Sequence, residues 1–292
     1  MGQVNTPNRR RVMAAAALSL LSCANAWAVR CYSDPDYPGC GGFGESDQWR
    51  VELVHTHNEH PYYFLMRAIN KLDGSSTSFR IPTPYGELVN VIQVHGSRAV
   101  VIGYLTRGLY RVVLWDLAEM RQVAQFIASG LSRSPDDRYL LYQVAYSAVG
   151  PWDARVFLLD LGRERCDASR HCGGVDVGTS VYELPSPPED HVGGLVWDLH
   201  RERLLFMAPH SEDGQSLLAL SLAGETPEIV CRLPINRRRV DGEFSATLRR
   251  GAGKLTYDPA TDVAAVDVRD ESDVYSEYRV SLAEACASQG MH

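Results

Sequence analysis

Apolar residues in this chain occur in short runs separated by polar turn residues, from about residue 48 towards the C-terminus. The 3.6-residue periodicity that marks amphipathic helices is almost absent. Only residues 117–127 and 282–288 show enough of it to predict a helical turn or two. The pattern therefore predicts an all-β protein.

The strand patterns recur in pairs along the chain. The first member follows a polar turn and appears as SRAVVIGY (97–104), DRYLLYQV (137–144), ERLLFMAP (202–209) and DVAAVDVR (262–269). The second appears as RVVLWDLA (111–118), RVFLLDLG (155–162), SLLALSLAG (216–224) and YRVSLA (278–283). Alignment of Arg98, Arg138, Arg203 and Val263 gives spacings of 40, 65 and 60 residues. A repeated β unit that carries insertions is predicted.

Several predicted strands are apolar without alternation, for example residues 139–142 and 204–207. Both faces of such strands should be buried, which happens in antiparallel units when sheets stack face to face. Five units can be delimited, at about 46–86, 88–128, 130–187, 190–234 and 240–286. A β-propeller satisfies this pattern, and one or two β-sandwich domains are the alternative.

One segment carries a family resemblance. Residues 132–142, SRSPDDRYLLY, resemble the SPDGxxLxY segment of TolB-like and YVTN-type β-propellers, with Asp137 in place of the usual glycine. Residues 156–161, VFLLDL, match the later L-x-L-x-D-L strand. The resemblance extends over about 90–286 and implies a propeller of about five to six four-stranded blades. It implies no particular activity.

The first 28 residues have the order of an export signal, with a basic segment, a short apolar run and a small-residue end. Cleavage after Ala28 would leave a mature chain that begins at Val29. Leu20-Leu21-Ser22-Cys23 also fits a lipobox, in which Cys23 would carry a lipid anchor. We therefore expect a periplasmic or secreted protein, or one that is lipid-anchored through Cys23.

The predicted organisation has three parts: a signal peptide at 1–28, a disulfide-closed N-terminal loop at 29–47 and a propeller domain at 48–288. No apolar stretch after the signal approaches the roughly 20 residues that a membrane helix needs. We therefore expect no transmembrane segment.

Cysteine usage fits an oxidising compartment. The chain has seven cysteines, and Cys23 leaves the fold under either processing route. The remaining six allow 15 connectivities. Sequence proximity favours Cys31 with Cys40 and Cys166 with Cys172, which leaves Cys231 with Cys286.

The charge argues against nucleic acid as a partner. The formal net charge is −7, and removal of the signal with its three arginines and no acid gives −7 − 3 = −10. One basic concentration remains, Arg237, Arg238 and Arg239, which suits a solvated loop or, alternatively, an acidic partner or an anionic glycan. Arg170 and His171 lie in the loop between Cys166 and Cys172, where a disulfide would preorganise a contact surface.

Two stretches could hold a metal ion. His55 and His57 in HTHNEH would project from one face of a strand, as two Zn²⁺ ligands do, although a solvated hairpin with surface histidines is the favoured interpretation. Four carboxylates between Asp267 and Asp273 could bind Ca²⁺ but lack the Asp-x-Asp-x-Asp-Gly spacing. We expect no obligatory cofactor.

Two sequence matches to enzyme motifs lack the neighbouring strand or residue that each motif requires. The G-x-G-x-x-G match at 39–44 has no strand before it, and GESDQ at 44–48 lacks the last glycine of a nucleophile elbow. These failures favour a non-enzymatic exported propeller that binds a protein partner in the bacterial envelope, as a scaffold or a toxin neutraliser. The alternative is a propeller hydrolase or lyase, in which polar side chains from different units would converge at the central channel.

Overall fold

The computed structural model describes residues 42–55, 63–82, 88–106, 109–144, 155–163, 172–184, 193–211, 214–236, 255–269 and 275–287. Within these ranges, strands dominate and the helical segments are short. The prediction of an all-β protein is confirmed. No helix in the described part of the chain is long and apolar enough to cross a membrane.

The strands form successive antiparallel meanders, which we number as five units. The first unit contains β1 (Phe43–Glu45), β2 (Trp49–His55), β3 (Tyr63–Asn70) and β4 (Ser76–Pro82). The second contains β5 (Leu88–His95), β6 (Arg98–Thr106), β7 (Leu109–Asp116) and the first part of β8 (Arg121–Arg133). Strand β1 falls within the segment 29–47 that the sequence predicted to be a loop.

The later units follow the same order. The third combines the end of β8 with β9 (Tyr139–Val144), β10 (Arg155–Asp160), α1 (Gly174–Val177) and β11 (Thr179–Glu183). The fourth contains β12 (Gly193–Asp198), a 3-10 turn (Leu199–Arg201), β13 (Arg203–Ser211), β14 (Gly214–Ser221) and β15 (Glu228–Asn236). The fifth contains β16 (Leu255–Asp258), β17 (Val263–Arg269), β18 (Tyr275–Ser281) and α2 (Leu282–Ala287).

Strand β8 belongs to two units. It pairs with β7 from Arg121 to Ser129 and with β9 from Ala128 to Arg133, so the second and third units form one seven-stranded sheet. Residues 117–127, predicted as a possible helical turn, are instead a turn and the start of this strand. Cross-strand pairing with β7 decides this conformation, because local periodicity is a weak signal beside tertiary pairing.

Apolar clusters lie between consecutive units. The faces of one strand contribute to different clusters: Leu204 packs with the third unit, and the adjacent Leu205 packs with the fifth. Val100 and Val101 of β6 divide in the same way between the third and first units. The non-alternating runs are therefore buried on both faces, as predicted. Burial of each such side chain contributes about 1.5–3 kcal/mol.

A buried leucine recurs at the same position in four of the units. It follows the strand that ends at Asp116, Asp160, Ser221 or Ser281, and its side chain is buried. In each unit its N–H donates, over 2.7–2.9 Å, to a backbone carbonyl in the turn before the second strand of the meander. The leucines are Leu117, Leu161, Leu222 and Leu282, and the acceptors belong to Ser97, Arg138, Glu202 and Asp262. This hydrogen bond therefore joins the two recurring sequence segments of each unit.

The turns at one end of the units are linked from unit to unit. Ser46 Oγ donates to the carbonyl of Gly96 over 2.9 Å, and the amide of the buried Gln93 donates to the carbonyls of Asp137 and Tyr139. Further along, Arg163 donates to the carbonyl of Gly224 over 2.6 Å, and Arg201 to that of Pro259 over 2.8 Å. These contacts join all five units along one rim, which we call the laced rim.

A disulfide between Cys231 and Cys286 joins β15 to α2, as the sequence predicted, across a separation of 55 residues. Cys172 is buried and also disulfide-bonded. The predicted pairs of Cys166 with Cys172 and of Cys31 with Cys40 involve residues outside the described part of the chain.

Candidate functional site

In the second and third units, an arginine forms an ion pair with an aspartate. The pair lies at the laced rim, where the second strand of each unit begins. Arg98 Nη1 lies 2.7 Å from Asp116 Oδ2, and Arg138 forms two hydrogen bonds of 3.0 and 2.9 Å with Asp160. Each aspartate also accepts a backbone N–H from the turn that follows it. The pair is part of the repeat and links two neighbouring strands of one unit.

The fourth unit breaks this arrangement. Arg203 occupies the position of Arg98 and Arg138, but the residue opposite it on β14 is Ser221, and the acid of its own sheet, Asp198, faces it from β12 on the other side. Arg203 Nη2 contacts Asp198 Oδ2 at 3.2 Å and Asp262 Oδ1 at the start of the fifth unit. The arginine therefore links β13 to β12 within its sheet and also to the fifth unit, instead of linking β13 to β14.

Tyr257 lies at the centre of the resulting cluster. Its hydroxyl lies 2.9 Å from Asp198 Oδ2, 2.7 Å from Asp262 Oδ1 and 2.6 Å from Arg203 Nη2. Arg201 Nη1 donates to the same oxygen over 3.0 Å. We call these five residues the Tyr257 cluster: Asp198, Arg201, Arg203, Tyr257 and Asp262.

Local structure explains how each side chain reaches the cluster. Asp198 ends β12, and its carboxylate accepts the N–H of Arg201 at the 3-10 turn. Tyr257 lies on β16, and β12 and β16, the first strands of their units, contact each other. Asp262 ends the turn between β16 and β17 with φ of 54°. The cluster is therefore built at the boundary between the fourth and fifth units.

Both carboxylates are ionised in this setting. Burial alone would raise the pKa of Asp198, whose side chain is 3% exposed. Hydrogen bonds from Tyr257, from the backbone N–H of Arg201 and from Arg203 outweigh this effect, so that its pKa lies below the usual range. The pKa of Asp262 is lowered in the same way, because hydrogen bonds from Arg203 and Tyr257 outweigh burial.

The phenol keeps its proton well above its usual range. Burial raises the pKa of Tyr257, and its hydrogen bonds to Asp262 and Asp198 raise it further, since these favour the neutral hydroxyl. For Arg203, burial opposes the charge, but the hydrogen bond and the attraction to Asp262 leave its pKa raised. At neutral pH the cluster holds two carboxylates, two guanidinium groups and one neutral phenol.

The cluster offers three kinds of chemistry to a ligand. A phenol has one proton, so Tyr257 donates to one carboxylate at a time, and the other acid depends on Arg203. Arg201 is the most open member, with 35% of its side chain exposed. Within the described residues, the buried Nε of Arg203 has no hydrogen-bond partner. The cluster can thus donate a proton, accept a proton and stabilise an anionic oxygen.

Most site residues predicted from the sequence cannot be placed. His57, Arg170, His171 and Arg237–Arg239 lie outside the described residues, and only the backbones of His55 and of Asp267 at the start of the acidic stretch are described. No group of three or more potential metal ligands occurs in the described ranges. The Zn²⁺ and Ca²⁺ sites therefore remain predictions.

The sequence patterns did not predict the Tyr257 cluster. Only Arg203 was singled out, and then as a repeat position. The missed signal was the serine at Ser221, which stands where the aligned elements have Asp116 and Asp160. An arginine that keeps its repeat position but loses its acid needs a partner elsewhere.

Comparisons with known proteins concern the fold. No family model matches the chain, and no curated protein matches it. A structure from a study of two prolyl endopeptidases matches with TM-score 0.44 and 10% identity, over 83% of this chain and 34% of that one. TolB from Acinetobacter baumannii matches with TM-score 0.32 and 7% identity, over 82% and 51%. The β-propeller domain of the Trilobed protease from Pyrococcus furiosus gives 0.37 and 10%, over 84% and 69%.

These matches confirm the fold-level resemblance to β-propellers. The chain spans about a third of the matched endopeptidase chain and half of the TolB chain. At these identities the likeness shows the fold alone.

The matches also correct one expectation. Several of the similar solved structures are of enzymes, among them peptidases, lactonases and a lyase. The prediction of a non-enzymatic propeller that binds a protein partner is therefore wrong. The failed motif tests had excluded only nucleophile elbows and dinucleotide loops, whereas acid–base chemistry needs no such local motif.

Proposed function

We propose that this protein is a hydrolase or lyase whose active site is the Tyr257 cluster. One observation carries the proposal: Arg203 lacks the acid that the repeat provides on the following strand, and with Asp198, Arg201 and Asp262 from two units it surrounds a protonated phenol. If the cluster only held the fourth and fifth units together, Tyr257 would not be needed, since Arg203 already contacts Asp198 and Asp262 directly.

The position of the cluster supports the proposal. Asp198 and Tyr257 belong to β12 and β16, the first strands of their units. In a propeller, sheets repeat radially around a central channel, and the first strands are the innermost. Polar side chains from different units that meet there are the feature expected of a propeller enzyme.

Chemically, the cluster fits reactions that develop negative charge on an oxygen, as both ester or amide hydrolysis and elimination next to a carbonyl do. Tyr257 is a neutral donor to that oxygen, and Arg201 and Arg203 stabilise its charge. The carboxylate that is not hydrogen-bonded to the phenol accepts the proton from water or from carbon. Strong hydrogen bonds make both carboxylates weak bases, so most of the rate enhancement comes from charge stabilisation.

The test is a turnover screen of the purified chain. The panel contains aryl esters, lactones, peptide amides and uronate-containing oligosaccharides, with product release or new alkene absorbance as the readout. We expect Tyr257→Phe to lower turnover of the active substrate by roughly 100-fold. Tyr278→Phe is the matched control, because Tyr278 is exposed on β18 and should leave turnover unchanged.

Two results would refute the proposal. One is a wild type that turns over no member of the panel. The other is a Tyr257→Phe variant that keeps full turnover. Near-ultraviolet circular dichroism of both variants shows whether their tertiary structure is intact.

We also propose that the protein functions outside the cytoplasm, after removal of its N-terminal signal. The disulfide between Cys231 and Cys286 is the support, because such bonds persist in oxidising compartments. N-terminal analysis of protein recovered from its source separates the two processing routes: Val29 indicates signal cleavage, and acylated Cys23 indicates a lipid anchor. A chain that still begins at Met1 would contradict both.

A further inference from the structure

The disulfide between Cys231 and Cys286 connects the two units that form the Tyr257 cluster. Cys231 lies on β15 of the fourth unit, opposite Ala219, and is 1% exposed. Cys286 lies on α2, which follows the last strand of the fifth unit, and is only partly buried. The bond therefore fixes a terminal helix of the fifth unit to the sheet of the fourth.

Helix α2 reaches the cluster through its first residue. Leu282 is 1% exposed in the apolar cluster shared by the fourth and fifth units, where it packs with Leu205 and Leu255. Its backbone N–H donates to the carbonyl of Asp262 over 2.9 Å. Asp262 is thus held from two sides, by α2 at its carbonyl and by Arg203 and Tyr257 at its carboxylate.

Asp262 and helix α2, the two partners of this hydrogen bond, both need other contacts to keep their conformation. Asp262 has a φ of 54°, a left-handed conformation that costs free energy for a residue with a Cβ. Helix α2 has only six residues, too few for stability without tertiary contacts. The disulfide is the covalent contact of α2 to the fourth unit, so its loss should let α2 fray and Asp262 relax.

We propose that the Cys231–Cys286 disulfide is a redox clasp that keeps Asp262 in the Tyr257 cluster and switches the site off when it is reduced. This inference rests on the proposed function, because it assigns regulation to the same site. The reductant is a dithiol. One of its thiolates attacks the more exposed Cys286 sulfur and releases the Cys231 thiolate, which takes up a proton.

The second thiolate of the reductant then completes the exchange. It attacks the mixed disulfide, which frees Cys286 as a thiolate that also takes up a proton. The protein gains two electrons and two protons, and the dithiol becomes a disulfide. The step therefore balances without any further reactant.

The test measures amide hydrogen exchange and turnover on the same full-length samples, oxidised and after treatment with dithiothreitol. On reduction we expect exchange at residues 255–262 and 282–287 to rise about tenfold or more, while exchange at 98–116 in the second unit stays unchanged. Turnover should fall roughly 100-fold, since displacement of a catalytic group by about 1 Å has such an effect.

A double variant isolates this disulfide from the one that includes Cys172. Cys231→Ser with Cys286→Ser should show the reduced behaviour without dithiothreitol and should not respond to it. Unchanged exchange at 282–287 in this variant would overturn the clasp, and so would full turnover despite faster exchange. If exchange rises on reduction but the oxidised wild type has no turnover, the enzyme proposal fails while the clasp is supported.

Discussion

At the scale of single residues, the turn before the second strand contains a left-handed residue in four of the five units. Gly96, Asp137, Glu202 and Asp262 occupy corresponding turns with φ between 47° and 57°. Glycine adopts this conformation without steric cost, and asparagine or aspartate tolerates it better than other residues do. The glycine of the SPDGxxLxY pattern is therefore a conformational requirement, which Asp137 meets in this chain.

Asp137 gives a direct test of that requirement. We expect Asp137→Gly to change the free energy of unfolding by less than about 0.5 kcal/mol, because relief of strain offsets the greater freedom of the unfolded chain. Asp137→Val should destabilise by roughly 1–2 kcal/mol, since a β-branched residue suits a left-handed φ poorly. Denaturant unfolding distinguishes the two, and equal losses would contradict the conformational explanation.

Tyr257 predicts an alkaline loss of stability. Its pKa is raised in the folded state, so between the ordinary tyrosine pKa of about 10 and the folded pKa the unfolded chain releases a proton that the folded chain keeps. Stability is therefore fully present below about pH 10 and falls with rising pH by up to roughly 1.4 kcal/mol per unit.

The Tyr257→Phe variant lacks this contribution. Its deficit in unfolding free energy relative to the wild type should consequently shrink between about pH 9 and pH 11.5. Tyr139 and Tyr182, whose pKa values are also raised by burial, are present in both proteins and cancel. A deficit that stays constant over this range would show that the Tyr257 pKa is not raised.

At the scale of the elements, the Arg–Asp pair stabilises the connection between two strands of a unit. Arg98 and Asp116 have only 12% and 7% of their side chains exposed, whereas Arg279 and Glu277 on β18 have 70% and 45%. Removal of one member of a buried pair leaves an uncompensated charge, while an exposed pair contributes little.

Arg98→Met should therefore lower the free energy of unfolding by about 3 kcal/mol or more. Arg279→Met, the matched control on an exposed strand, should lower it by less than about 1 kcal/mol. Thermal and denaturant unfolding of both variants provide the measurement. Similar losses in the two variants would mean that the repeated pair has no special role.

The sequence predicted the elements better than it predicted the site. Apolar runs and polar turns gave the strands, and the aligned segments gave Arg98, Arg138, Arg203 and the strand ends at Asp116 and Asp160. Residues 117–127 were ambiguous, because a register shift opposite Leu114 and Trp115 places the buried Val123 and Ala124 next to each other and breaks the alternation that identifies a strand. The pairing of Cys231 with Cys286 followed from sequence proximity of the other cysteines.

The site was hidden because its members are far apart in sequence. Asp198 and Tyr257 are separated by 59 residues and meet only because β12 and β16 are first strands of neighbouring units. No single-sequence motif records such a contact. The departure from the repeat at Ser221 was visible, but its consequence depended on knowing that Arg203 faces that position across the sheet.

At the scale of the whole molecule, repetition provides stability and one departure from it provides the proposed chemistry. Apolar clusters and polar contacts of the laced rim join each unit to the next, so the fold has a common structural rule at every boundary. At the fourth boundary the arginine of the repeat pairs with Asp198 and with the fifth unit in the Tyr257 cluster, instead of with an acid on the following strand. The serine at Ser221 thus leaves Arg203 available to the site.

Kinetic analysis of Ser221→Asp tests the claim that the site depends on this change of partner. The new carboxylate would stand opposite Arg203, as Asp116 stands opposite Arg98, and would restore the pair that the repeat forms between the second and third strands of a unit. We predict that the variant keeps or increases its thermal stability while kcat/KM for the substrate found in the screen falls roughly 100-fold, because Arg203 turns away from Tyr257. Full kcat/KM in a folded Ser221→Asp variant would contradict the claim.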